Sequence, residues 1–132
     1  MVQNIEKLIV ILNRLGTVKG RTRLQKIIFL LNNKEGIPLD YHFIPYYYGP
    51  YSRDLQLEID FLEAAGFVEV RPQDGILYVH KLTEKGKEAA KKIEEEIGKT
   101  EMDKLLRVLE KYKRRTTSSL IKEAKELAGM HY

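Results

Sequence analysis

Apolar residues recur along this chain at helical spacing over most of its length, and the pattern breaks into short β-branched and aromatic runs near the middle. Ile5, Leu8, Ile9, Leu12 and Leu15 fall on one face of a helix predicted over Asn4–Leu15, with Asn4 as N-cap and Gly16 as the residue that ends it. Thr17–Gly20 reads as a short connection. A second helix is predicted over Thr22–Asn33, where Leu24, Ile27, Ile28, Leu30 and Leu31 make a wide apolar face. Residues 41–52 are rich in Tyr and suit a short strand or extended segment, kept off a sheet centre by Pro45. Ser52 caps a third helix over Arg53–Ala65, closed by Gly66. That helix carries two apolar stripes, Leu55/Ile59/Leu62 and Leu57/Phe61/Ala64, which predicts cover on more than one side.

Phe67–Arg71 reads as a strand, Pro72–Gly75 as a turn with an Asp-Gly hairpin signal, and Ile76–Leu82 as the return strand. Thr83 caps a fourth helix that continues to Ile97, with Gly86 placed early in it where a close backbone approach is expected. A fifth helix is predicted over Glu101–Lys113. A sixth runs over Leu120–Leu127, capped by Thr117 or Ser118. The expected organisation is a domain over residues 1–98 and a helical hairpin over 99–132 that packs on the same domain or on a second copy.

The order helix, helix, short strand, helix, strand, turn, strand, helix is that of a winged helix-turn-helix. The fold class expected is therefore α+β, mostly helical, a winged helix-turn-helix with a two-helix C-terminal extension. The junction Leu82-Thr83-Glu84-Lys85-Gly86 looks like the strand-to-helix exit of many winged-helix regulators. Upstream, Arg23–Leu31 with its Leu-Gln-Lys, followed by Tyr48-Gly49-Pro50-Tyr51-Ser52 and Leu55, is similar to the pattern of a YwgA-type family of small prokaryotic proteins. It also resembles the Panacea domain of SocA-like antitoxins. The resemblance spans about residues 21–66. It implies a winged-helix-like core and, on the Panacea side, work through protein contacts. Within it, Gln25, Lys26, Tyr48, Gly49 and Ser52 are expected to lock the second helix to the strand-helix turn.

Composition narrows the chemistry. With 132 residues and 43% apolar residues the chain can bury a real core. There are no Cys, which excludes disulfides, thiolate metal sites and cysteine nucleophiles, and suits a reducing cytoplasm. No apolar run approaches the roughly 20 residues that cross a bilayer, so no membrane partner is expected. Net charge is only +4, but it is uneven: +4 over residues 1–50, −3 over 51–100 and +3 over 101–132.

Duplex DNA is the first partner this distribution suggests, with Lys19, Arg21, Arg23 and Lys26 at the start of the second helix holding phosphate. Arg53 and Gln56 would serve on the third helix, and Arg71 on the wing. The third helix itself opposes this reading: Ser52–Gly66 carries Arg53 against Asp54, Glu58, Asp60 and Glu63. The basic run Lys111–Arg115 joins the argument only if folding brings it beside Arg21 and Arg23; otherwise it is a helix end satisfying its dipole. Tyr46 and Tyr48 are assigned to the core, Tyr47 and Tyr51 to a contact surface.

Catalysis has little to stand on. His42, His80 and His131 share no ligand spacing, and His42 and His80 read as surface or hydrogen-bonded residues. No phosphate loop or nucleophile signature is present, and neither a metal nor a cofactor is implied. Three functions remain: a winged-helix transcriptional regulator that binds duplex DNA as a homodimer through the last two helices; an antitoxin-like protein-interaction module using the Tyr-rich segment and the acidic third helix; and an enzyme or small-ligand binder with a Tyr-lined pocket.

Overall fold

The computed structural model describes residues 2–130 except Ile76. Ile76, assigned above to the return strand, and His131 lie outside the described residues. The chain is α+β and mostly helical. Its helices are α1 (Asn4–Leu15), α2 (Arg21–Asn33), α3 (Arg53–Ala64), α4 (Glu84–Glu96), α5 (Lys99–Lys113) and α6 (Thr117–Leu127). Its strands are β1 (Val18–Lys19), β2 (Ile44–Tyr46), β3 (Gly49–Tyr51), β4 (Val68–Gln73) and β5 (Leu77–Leu82). No described helix is long and apolar enough to cross a membrane.

α1 and α2 form the centre. Leu8 through Leu12 are buried without interruption, as are all residues from Leu24 to Leu31. Both helices are thus covered on nearly all sides, beyond the single faces that periodicity predicts. At about 1.5–3 kcal/mol for each fully buried Leu or Ile, this pair supplies much of the drive to fold. α5 packs on α1 and α6 on α2. Both bury their apolar lines in the same core, with Leu105, Leu109, Tyr112, Leu120 and Ala124 almost fully covered. The Tyr112 hydroxyl donates to Glu35 at 2.7 Å, fastening α5 to the end of α2.

β1, β5 and β4 form an antiparallel sheet in that order. The two residues of β1 pair as Val18 with His80 and Lys19 with Val79. β4 and β5 pair over their full lengths, from Val68 with Leu82 to Gln73 with Leu77. Thr17–Gly20 is therefore a strand-bearing connection. A two-residue strand has no periodicity of its own, and β5 supplies its hydrogen bonds. Residues 44–51 form a second sheet, the β2–β3 hairpin, with Tyr46 opposite Gly49 and Pro45 opposite Pro50.

Local chemistry sets the helix ends. The Gln3 N–H donates to Glu6 at 2.9 Å, so Gln3 is the N-cap of α1. Asn4, expected as that cap, instead clasps Asp40: its amide donates to the Asp40 carbonyl at 2.8 Å and accepts from the Asp40 N–H at 2.9 Å. Ser52 caps α3, accepting from the Leu55 N–H at 3.2 Å. Thr83 caps α4, accepting from the Gly86 N–H at 3.1 Å. Thr116, one residue earlier than predicted, caps α6 by accepting from the Ser119 N–H.

Candidate functional site

Folding removes two cations from the proposed phosphate set. Lys26 is only 2% exposed. Its ammonium donates to the Pro50 carbonyl at 2.8 Å and cannot reach a nucleic acid. Arg23 donates to the Tyr112 and Lys113 carbonyls at 3.1 and 3.2 Å and to the Thr117 hydroxyl at 3.3 Å. It closes the C-terminal end of α5, where a cation satisfies orphan carbonyls. The basic run Lys111–Arg115 does come beside Arg23, but through these backbone groups. Its side chains sit among acids: Arg115 pairs with Glu123, and Lys113 and Arg114 lie 3.8 Å from Glu110.

Gln56 is half-buried and donates to Asp60 at 3.0 Å along α3. Arg53 is exposed at the start of α3, Lys19 on β1, and Arg21 at the start of α2, where its guanidinium lies 3.9 Å from the Tyr78 ring centroid. Arg71 is exposed on β4 and paired with Glu69.

The Leu-Gln-Lys and Tyr-Gly-Pro-Tyr-Ser elements meet, and their geometry is that of a lock. The Gln25 side chain donates to the Ser52 carbonyl and accepts from the Ser52 N–H, both at 2.8 Å. Lys26 holds the carbonyl two residues earlier. Gly49 has φ +106, a conformation that glycine adopts readily, and a Cβ there would lie 3.3 Å from the Lys26 and Lys125 stems. These contacts tie the end of β3 and the start of α3 to α2.

Burial, with Lys125 adding to the effect, pushes the Lys26 amine down to about 8 from an ordinary value near 10.5. Between those values the unfolded chain holds a proton that the folded chain lacks, so stability rises with pH there; below about 8 the penalty is present in full. Tyr41 and Tyr112, whose phenols burial and the neighbouring Glu58 and Glu35 hold above their usual range, act in the opposite sense once the unfolded phenols ionise. Urea midpoints of wild type and Lys26→Met across this window separate the contributions. For a Lys26 origin the wild-type midpoint should rise relative to that of the variant as pH increases through the window. Parallel pH profiles would remove Lys26 as the responsible group.

The largest departure from expectation is the second apolar stripe of α3, which is uncovered: Leu57 is 56% and Phe61 60% exposed. In the hairpin next to it in sequence, β2 is equally open, while β3 packs on α2 and α6. Tyr47, at the turn, is 77% exposed, and Tyr46 and Tyr48, assigned above to the core, are exposed as well. Pairing Tyr46 with Gly49 in a two-stranded ribbon leaves no layer above them. Tyr51 is half-buried, and its ring centroid lies 5.2 Å from that of Tyr46, which lies 5.1 Å from that of Tyr47. Tyr41 fills the core instead, donating to Glu58 at 2.6 Å. Asp54 accepts from the His42 N–H at 3.2 Å, while Asp60 and Glu63 stay exposed beside the apolar stripe.

His80, expected at the surface or hydrogen-bonded, is fully buried. Its ring nitrogens approach the Val18 and Tyr78 backbone without completing a hydrogen bond. Burial, with a contribution from Arg21, holds it below the usual imidazole range. Burial there favours its neutral form. Among the described residues no cluster of His, Asp and Glu is arranged to hold a metal ion.

The outer face of the β1-β5-β4 sheet carries a residue that sequence reasoning missed. Lys19, Val79 and Arg71 lie in one row across the three strands, and Lys81 with Glu69 forms the next. A shallow groove of about 350 Å³ runs over these side chains. The alternation Leu77/Val79/Lys81 against Tyr78/His80/Leu82 is the signal that places Lys81 on this face.

The site thus belongs to a mostly helical α+β protein whose Leu-Gln-Lys and Tyr-Gly-Pro elements form one internal lock. The chain is similar to the uncharacterized protein YwgA of Bacillus subtilis (strain 168), with 36% identity over 93 residues. The matched region is 65% of this chain and 53% of that protein, so the chain matches about half the length of its curated relative. This likeness supports the YwgA-type resemblance. No protein-family model matches the chain, and no solved structure matches it.

Proposed function

We propose that this chain is a winged-helix protein-interaction module, with β2–β3 and α3 as its contact surface. The strand order β1-β5-β4, the position of α2 and α3 between β1 and β4, and the β4–β5 wing support the winged-helix reading. One observation carries the functional reading. Among the described residues, six of the nine exposed large apolar side chains fall in residues 44–61: Ile44, Tyr46, Tyr47, Tyr48, Leu57 and Phe61. Isolated exposed apolar residues need no explanation, but this concentration does. Tyr and Phe are enriched at protein contacts, where a rigid ring buries a large area at little entropic cost.

Asp60 and Glu63 beside the α3 stripe make this helix a poor reader of duplex DNA, because they would face phosphate. The same charges suit a protein with an apolar centre and a basic rim. They also disfavour pairing α3 with its own copy, which would set acid against acid. The Panacea resemblance, which implies protein contacts, points the same way. The homodimer through α5 and α6 is less favoured, since those helices bury most of their apolar lines within the chain.

The test is affinity purification of the native chain beside its Leu57→Asp and Phe61→Asp variants. A specific protein should be recovered with wild type. Each substitution should weaken its binding by about 30-fold, as expected of a central anchor contributing about 2 kcal/mol. Both side chains are exposed, so the thermal midpoints should stay close to that of wild type. Recovery of no protein, or equal recovery with the variants, would defeat the reading.

A further inference from the structure

The geometry points to a second binding surface, separate from the α3 contact surface: the outer face of the β1-β5-β4 sheet holds the phosphate backbone of duplex DNA through Lys19, Arg71 and Lys81. Alternation in the strands separates this face from the core. Val18, His80 and Leu82 point inward and are buried, while Lys19 and Lys81 point outward and are exposed. Val79 lies between Lys19 and Arg71 in register, so those two backbones stand two strand spacings apart, roughly 10 Å. Arg21 stacks on Tyr78, 3.9 Å from the ring centroid, on the opposite side of β5, and is not part of this face. A duplex carries one charge per about 1.7 Å of axis, so long flexible cations spread over this distance can meet several phosphates.

The anions nearby are few. Glu69 stands on the same face and pairs with Arg71. Asp74 lies at the hairpin turn and Glu84 just past the end of β5. Three cations thus face one carboxylate on the surface itself. Its centre is half-buried Val79, with no aromatic ring on the outer face, since Tyr78 points to the other side. A single strand would find no stacking platform there, and an acidic protein no apolar anchor. A regular array of phosphates needs neither.

This surface differs from the helix-start grip expected from sequence. Arg23 and Lys26 are spent inside the fold, and Lys81 takes their place. It also leaves α3 free, so duplex and protein partner can be held at once.

The experiment is fluorescence anisotropy of a labelled random-sequence duplex across salt concentrations. Three phosphate contacts predict a slope of log K against log salt of about −2.7, or roughly a fortyfold loss of affinity between about 50 and 200 mM. The triple variant Lys19→Gln, Arg71→Gln, Lys81→Gln should flatten the slope to near zero. Each single substitution should remove about 0.9, so any one folded variant reports on the surface. A control of equal charge change, Lys91→Gln, Lys92→Gln, Lys99→Gln, alters exposed residues on α4 and α5 and should keep the wild-type slope. No duplex binding by wild type at low salt would overturn the proposal. So would a control that loses as much as the site variant, which would reduce the effect to net charge. Tighter binding of the single strand than of the duplex would overturn the assignment of the ligand. None of these outcomes depends on Leu57 or Phe61, so this proposal and the protein-interaction reading fail independently.

Discussion

Replacing Gly86 with alanine should destabilise the protein by about 3 kcal/mol and lower its thermal midpoint by on the order of 10 °C. A Cβ at this position would lie 2.1 Å from the Phe67 carbonyl oxygen, 3.1 Å from its carbon and 3.2 Å from the Leu82 Cβ. The obstructing atom is backbone and cannot rotate away. Nor is it free to shift, because that carbonyl accepts from the Thr83 N–H at 3.1 Å. The Thr83 hydroxyl in turn donates to the Gly66 carbonyl at 2.6 Å and accepts from the Gly86 N–H at 3.1 Å. Accommodating the methyl group means lifting α4 off the start of β4, with loss of the cap. Alanine's better helix propensity, worth about 1 kcal/mol, does not offset that. Gly98→Ala is the matched control: a Cβ there meets nothing within 4 Å, and the midpoint should hardly move. Equal midpoints for the two variants would remove the close approach as the reason for glycine at 86.

The joint at Gly86 was legible in the sequence because it is local: Thr83 and Gly86 sit one helical turn apart, and spacing alone relates cap to contact. The same holds for Ser52 and Leu55 at the start of α3. What sequence could not supply are the relations that depend on a distant element. β1 exists because β5, some sixty residues later, presents Val79 and His80 to it. Lys26 reads as a cation on a helix start, and its burial follows from a carbonyl 24 residues away. Asn4 has the chemistry of a cap, but Asp40 offers it two hydrogen bonds. Periodicity detects that Leu57 and Phe61 form a stripe and cannot say whether anything covers it. The structure leaves it open, and so the expectation of a helix covered on two sides becomes the main argument for a partner. The Tyr hairpin fails in the same way, since ring-rich residues suit a core and an interface equally.

Gln25→Leu tests whether the paired motif works as a lock, and it should cost about 1–3 kcal/mol although leucine matches glutamine closely in volume. Ser52 is fully buried, and its N–H and carbonyl both face the Gln25 amide at 2.8 Å. Leucine leaves the Ser52 N–H without a partner, while the Ser52 carbonyl keeps the Gln56 N–H at 3.2 Å, and an unmet buried group costs more than a made hydrogen bond contributes. Cavity formation is small here, so the loss measures the polar contacts. The Ser52 N–H and the first turn of α3 should exchange with solvent much faster, while α1 and α5, which the lock does not touch, should open only with the whole molecule. The consequence for function is indirect. The Gln25 side chain hydrogen-bonds to Ser52 rather than to the exposed tyrosines, but it sets β3 and α3 against the same helix. Loosening it should weaken partner binding through a surface whose side chains are all still present. A variant with an unchanged denaturation midpoint and unchanged exchange at Ser52 would show that Lys26 and the Ser52 cap hold this joint without Gln25. The glutamine of the motif would then need another explanation.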